Sequence, residues 1–232
     1  MSDFGRAVTL ALELIFGGDA ELYGIIGLSL GVSIGAAVIA ALIGTPAGAA
    51  LAVYRFRGRR ALVILVNAML GLPPVVVGLA GYLLLSRSGP LGGLGLLYTP
   101  TAMIAVQSVL ALPIVAAIVH RTVEDLWARF GEGFQVAGAT RLEIIPQLLR
   151  IGRAQVLTAA LAGFGRTISE VGAIIIVGGN IAGATRTMTT AIALQTSMGN
   201  LPLALALGLV LISLSLLFNG LAFTVAGQRK FP

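Results

Sequence analysis

Few side chains in this sequence could make or break bonds. His120 is its one histidine, cysteine is absent, and its nine carboxylates lie mostly in loops. Without cysteine there is no disulfide, no thiolate nucleophile and no thiolate metal ligand. His120 stands where a long apolar run ends, which suits the capping of a helix C-terminus better than metal binding. A phosphate-cradling loop needs a lysine after its glycines, and the only lysine is Lys230 in the C-terminal tail, so the chain has no such loop for ATP. Two polar constellations remain. Arg166 and Glu170 are four apart, so a continuous helix would put them on one face, within pairing distance. They interrupt an otherwise uncharged run, where charge is costly and normally faces a bundle interior or water. The pair either locks that span or places a cation beside an anion passage, with Glu170 keeping Arg166 from holding the anion too tightly. The second constellation is Gly178, Gly179 and Asn180 followed by Arg186. Consecutive glycine amides can form an anion-attracting concavity, or merely a turn.

The elements that must position these residues are long and apolar. Of 232 residues, 57% are hydrophobic and only 10% charged, which a soluble surface would not tolerate. A helix needs about 20 apolar residues to span a bilayer, and irregular backbone is excluded from contact with lipid tails. Leu22 to Tyr54, Ala61 to Ser86, Ser88 to Val119 and Thr187 to Gln228 carry no charge, and Ala154 to Thr185 carries only Arg166 and Glu170. The sequence therefore predicts an all-α integral membrane protein of about five transmembrane helices, near 24–54, 61–86, 101–120, 154–180 and 201–226.

Residues 1–21 read as a short segment ahead of a membrane domain at 22–228. Phe4 to Phe16 is apolar but only about 20 Å long as a helix, too short to cross, so it is expected on the outer face. Asp3 where a signal peptide would be basic argues against that alternative. Gly27, Gly31 and Gly35 recur every four residues, and Gly44 and Gly48 repeat the spacing, which predicts close approach of another backbone. Pro73 and Pro74 remove two backbone donors in the second span and should kink or break it, as a packed bend or as a bend beside a passage.

Sorting the 15 basic residues by loop fixes an orientation. Arg55, Arg57, Arg59 and Arg60 follow the first span; Arg121, Arg129, Arg141, Arg150 and Arg153 follow the third; Arg229 and Lys230 follow the fifth. Only Arg6, Arg87 and Arg186 fall opposite. The excess of positive charge on the cytoplasmic side then puts the N-terminus outside and the C-terminus in the cytoplasm. The net charge of +6 thus reads as membrane topology, not as a nucleic-acid surface.

The longest polar stretch, 121–153, should form a short helix, a turn at Gly138 and a second helix, a docking surface for another protein. Glu132, Gly133, Phe134, Ala137, Gly138, Ala139 and Arg141 sit around that turn. Here the sequence resembles the coupling loop of bacterial ABC importer permeases, Glu-Ala-Ala, three residues, Gly, then an apolar stretch. Glu132 and Gly138 match; Gly133 and Phe134 replace the alanines, and Arg150 and Ile151 replace a usual Leu-Pro. Gly71 to Gly78, Gly163 to Arg166 with Ser169 to Ala173, and Val177 to Ile181 with Thr185 to Thr187 resemble the molybdate, sulfate and tungstate permeases. The Leu85 to Leu91 stretch, the Gly-Gly-Asn-Ile wording and Arg150 resemble the tungstate branch most. The similarity runs from about residue 22 to 225.

The resemblance implies a type I ABC importer permease (MetI-like) fold and a transport role without enzymatic activity in this chain. It implies a second copy of the chain, two cytoplasmic subunits that hold ATP and Mg, and a periplasmic or lipid-anchored oxyanion-binding protein, all in contact with membrane lipid. No cofactor is expected in this chain itself. Pro73, Pro74, Arg166, Glu170, Gly178, Gly179, Asn180 and Arg186 are then candidates for translocation or gating. A molybdate or sulfate importer is the nearest alternative. An ion-coupled carrier is a more distant one, because five spans do not divide into the equal halves such carriers use.

Overall fold

The computed structural model describes residues 3–227. Expectations that rest on Gln228, Arg229 and Lys230 lie outside the described residues. Among the described residues the chain is helical, without strands. Its helices are α1 (Asp3–Phe16), α2 (Ala20–Val53), α3 (Arg59–Met69), α4 (Pro74–Leu85), α5 (Pro100–Val136), α6 (Arg141–Ile151), α7 (Arg153–Ile168), α8 (Gly172–Gly178), α9 (Met188–Ser197) and α10 (Leu201–Gly227). Three helices, α2, α5 and α10, are long and apolar enough to cross a membrane by themselves, and two broken pairs, α3 with α4 and α7 with α8, bring the total to five.

Both breaks have local causes. Pro73 precedes another proline and so is pushed out of the α region; it adopts φ −66°, ψ 121°. Pro74 then starts α4 at the position where a missing N–H is harmless. Single prolines at Pro46 and Pro113 stay inside continuous helices, so it is the doublet that ends the run. The fourth run stops at Ile168 and restarts at Gly172. α9 was not expected. Thr187 caps it through a reciprocal contact with Thr190, a signal hidden inside a long uncharged run.

The third expected span, 101–120, is also corrected, because α5 continues to Val136. Thr122, Glu124, Asp125, Trp127 and Arg129 continue the helix as a polar extension, and no glycine or proline stops it before Gly131. At 37 residues α5 is about 55 Å long, well beyond a hydrocarbon core of about 30 Å. His120 is therefore not a C-terminal cap. It is 6% exposed in mid-helix, with Nε2 3.4 Å from an Arg59 nitrogen.

The described residues fall into two compact units. The first takes in the chain up to Gly35, Pro73–Gln107 and Thr167–Leu217. In it α1 ends at Gly17 and Gly18, the latter at φ 74°, and Asp19 Oδ1 accepts from Leu22 N at 2.8 Å to start α2. α4 packs on α8 through small residues: a Cβ at Gly78 would stand 2.7 Å from Ala173 Cα, and one at Gly172 2.7 Å from Val75 Cγ2. The two half-helices can touch only because those side chains are missing.

The second unit takes in Ala36–Leu72, Ser108–Arg166 and the chain from Phe218 onward. Its core joins Ala49 and Val53 of α2, Val115, Val119 and Val123 of α5, and Ile144 and Leu148 of α6. Gly44 and Gly48 make the close approach expected of them: a Cβ at Gly44 would lie 3.1 Å from Leu112 O, and one at Gly48 3.0 Å from His120 N. Gly27 and Gly31 depart from that expectation. Nothing in this chain lies within 4 Å of a Cβ at either, because the α2 face that carries them is exposed.

Candidate functional site

The predicted docking loop is built to be rigid. At the end of α5, Ala139 N donates to Phe134 O at 3.0 Å and Gly138 N to Gln135 O at 2.9 Å, with Gly138 at φ 81°. This paired closure needs a left-handed residue, which glycine supplies without strain. Two residues later Thr140 starts α6 with a reciprocal cap. Its N–H and hydroxyl both donate to Glu143 Oε2 at 2.8 Å, while Glu143 N donates to Thr140 O at 3.0 Å. These donors hold the Glu143 carboxyl below its ordinary pKa. The Thr-x-x-Glu spelling is the sequence signal for this cap, though it was not singled out in the sequence.

Phe134, Ala139, Ile145 and Leu149 pack on the second unit's core, and Ile144 and Leu148 are fully buried in it. Full burial of those two side chains stabilises α6 by roughly 1.5–3 kcal/mol each before entropy is counted. The outward side is different. Val136 is 89% exposed and Leu142 73%, one on each side of the turn, and Glu132, Gly133, Ala137 and Arg141 are exposed as well. The turn thus holds two apolar side chains outward while its inner side is packed.

In the first unit, the break after α7 collects polar groups. α7 ends at Ile168, so no continuous helix carries Arg166 and Glu170 on a shared face; Arg166 lies in the last turn of α7 and Glu170 in the break itself. The carboxylate of Glu170, 5% exposed, accepts from Ala173 N at 3.2 Å, and its carbonyl accepts from Thr189 Oγ1 at 2.8 Å. A buried carboxylate at the first turn of α8 meets the positive end of the helix dipole. Around it Thr167 Oγ1 donates to Ser33 O at 3.3 Å, Gln107 Nε2 to Thr167 O at 3.0 Å, and Met188 N to Ser29 Oγ at 2.7 Å. Gln107 Oε1 is buried with no protein donor. α2, α5, α9 and the break are thus tied by hydroxyl and amide groups that lipid could not solvate. Pro73 and Pro74 belong to the same unit, at the start of α4, the helix that packs on α8.

The turn after α8 is closed. Gly179 caps α8 at φ 71° and its N–H donates to Ile175 O at 3.0 Å, so that amide is already spent. Gly178 is buried against Met103, and the Tyr98 ring would meet a Cβ at Gly179. Gly179 is therefore required by its left-handed backbone and the Tyr98 ring, and a side chain at Gly178 would have to displace Met103. Asn180 follows at φ 52° with Oδ1 buried and unpartnered, and the Thr185 hydroxyl bridges Gly178 O and Ile181 N. Arg186 pairs with Glu21 at 3.3 Å beside a cavity of about 190 Å³ lined also by Gly24 and Gly183. Its Nε is buried without an acceptor. Glu21 had not been singled out in sequence, and only its place at the start of the first span hinted at it.

Residues 44–227 match the family described as binding-protein-dependent transport system inner membrane component. The tungstate uptake system permease protein TupB of Peptoclostridium acidaminophilum is 39% identical over 215 residues, 93% of this chain and 94% of that protein. A probable anion ABC transporter permease protein of Haloferax volcanii is 40% identical over 205 residues, 86% of this chain and 88% of its own length. The TupB protein of Campylobacter jejuni is 37% identical over 166 residues, 72% of this chain and 70% of that one.

Proposed function

As this chain belongs to the family of binding-protein-dependent inner membrane transport components, and so is a membrane-embedded permease subunit, we propose that it conducts tungstate into the cell in an ABC importer. Two copies pair around the passage. Two ATP-binding subunits carry the nucleotide and Mg, and an external oxyanion-binding protein delivers the anion. The observation that carries the reading is the turn at Gly138: a helix end and a helix start locked by backbone closure and a capping box, with Val136 and Leu142 turned outward. A rigid lever of that kind transmits a push from a docked subunit. The permease domain is 22–228 with its coupling loop at 121–153, and residues 1–21 lie on the outer face. The N-terminus is outside and the C-terminus cytoplasmic, a reading that the arginine distribution supports.

The break at Glu170, and the doublet Pro73 and Pro74 at the head of α4, form the part of the permease that rearranges. Broken helices in transporters line cavities, and small residues let halves slide. Arg166 and Arg186 supply positive charge for an anion; Glu21 holds Arg186 until the anion arrives. Gly178, Gly179 and Asn180 shape the outer loop that carries Arg186.

Cells that depend on this system for uptake should accumulate radiolabelled tungstate, with excess molybdate competing weakly and sulfate more weakly still. Equal competition by molybdate would make it a general oxyanion importer. Competition by sulfate alone would defeat the tungstate assignment and leave the coupling surface standing.

A further inference from the structure

Four arginines fall within six residues between α2 and α3. One of them is spent on structure. Arg59 Nε donates to Leu51 O at 2.6 Å, capping α2, and its NH2 donates to Glu124 Oε1 at 2.7 Å. Arg55, Arg57 and Arg60 are exposed and, among the described residues, form no ion pair. Arg55 is the one of the three that lines a cavity of about 470 Å³ between Ala47 and Ala50 of α2 and Leu62 and Val66 of α3, with Arg57 and Arg60 close by in sequence. Tyr54 and Phe56 also line it.

The chemistry of this groove narrows its occupant. Its walls are apolar, and Phe56 and Leu62 are 47% and 43% exposed, so a free phosphate or other small anion would leave them uncovered. A second copy seated by a two-fold axis would bring its own Arg55, Arg57 and Arg60 against these three, which like charges oppose. A molecule with both an apolar chain and an anionic head satisfies walls and arginines together. Tyrosine and arginine side by side are what a protein places at headgroup depth, and clustered arginines at that depth attract anionic lipid.

We propose that the groove between the end of α2 and the start of α3 is a site for one anionic phospholipid, an acyl chain lying along Ala47, Ala50, Leu62 and Val66 and the phosphate held by Arg55, Arg57 and Arg60. Occupancy fixes α3 against α2 from the lipid side, as Arg59 fixes it from the protein side through Leu51 and Glu124. The site needs only that the chain sits in a membrane, and it is independent of the transported anion.

Native mass spectrometry of the purified, detergent-solubilised protein tests this, with phosphatidylglycerol and phosphatidylcholine added at equal concentration. The wild type should retain phosphatidylglycerol over phosphatidylcholine by roughly tenfold, because three arginines attract its net negative headgroup, whereas the choline cation of phosphatidylcholine offsets its phosphate. Arg55→Gln, Arg57→Gln and Arg60→Gln together should abolish the preference, while Ala50→Trp, which fills the groove, should lower retention of both lipids. Equal retention of the two lipids by the wild type, or an unchanged preference in the triple variant, overturns the proposal. So does displacement of phosphatidylglycerol by inorganic phosphate, or efficient self-crosslinking of Ala50→Cys in membranes, which would mean that another copy covers the groove.

Discussion

Replacing Gly138 separates what the turn does for this chain from what it does for a partner. Gly138 sits at φ 81°, and a Cβ there would meet nothing within 4 Å. A Cβ there therefore carries a conformational cost but no clash within the chain. Holding an ordinary L-residue in the left-handed region costs about 1–2 kcal/mol, a factor of about 5–30 in the population of the closed turn. Asp and Asn pay less, because their short polar side chains tolerate that region. Against the burial of Ile144 and Leu148, which anchors α6, this is too little to detach the helix. Gly138→Ala should therefore assemble normally and lose part of its transport. Gly138→Asn should stay near wild type, and Gly138→Asp should lose most substrate-stimulated transport although it inserts, because only the carboxylate adds charge to the docking surface. The assay is transport and ATP hydrolysis side by side in vesicles holding the permease, its ATP-binding subunit and the binding protein. Wild-type transport by Gly138→Asp would refute the assignment of this turn as the coupling surface. Equal loss in Gly138→Asn and Gly138→Asp would refute the charge argument and leave backbone shape as the cause.

Gly78→Val should lower the thermal midpoint of the purified protein, because its Cβ begins 2.7 Å from Ala173 Cα and overpacking of this kind costs about 1–3 kcal/mol; an unchanged midpoint would mean that α4 and α8 separate easily. The reciprocal cap at α6 should be pH-dependent. The Glu143 pKa is depressed by the Thr140 donors, so the cap's stabilisation is complete above the ordinary carboxylate range and is lost as pH falls through the lowered value. The protection factor of the Thr140 amide, which donates to the Glu143 carboxylate at 2.8 Å, should fall on acidification, and Glu143→Gln should remove that dependence. For orientation, single cysteines at Gly58 and Val136 should be shielded from an impermeant thiol reagent in intact cells, and cysteines at Gly18 and Gly93 should react. Labelling of Val136 from outside would invert the topology. Arg186→Ala should reduce uptake while Arg186→Lys keeps part of it, measured as initial rate against tungstate concentration; equal rates for both variants would make the Glu21 pair structural only.

What could be read from the sequence depended on whether the signal was local. The proline doublet and the left-handed turn at Gly138 rest on one or two residues each, and both are where they were expected. So is the end of α1 at Gly17 and Gly18, since nothing distant competes with two glycines. Readings that extended a pattern across a boundary fared differently. Arg166 and Glu170 share the face of one helix only if that helix continues, and Ile168 ends it, while the Glu170 carboxylate accepts from Ala173 N at the start of α8. His120 looks terminal because hydropathy falls there, yet hydropathy marks where lipid ends and says nothing of where backbone hydrogen bonding ends; α5 runs on for 16 residues to Val136. Gly27 and Gly31 share the spacing of Gly44 and Gly48, but only the latter meet α5 within this chain. Spacing states what a helix face permits, and the partner decides whether the permission is used. The hydroxyl network joining Ser29, Ser33, Thr167 and Thr189 was silent for the same reason: serine and threonine in an apolar run read as neutral until it is known which backbone atoms face them across the bundle. The groove beside Arg55 shows the converse, because its arginines were counted first as a topology signal, and only the small residues Ala47 and Ala50 opposite Leu62 turn that charge into a place where something fits.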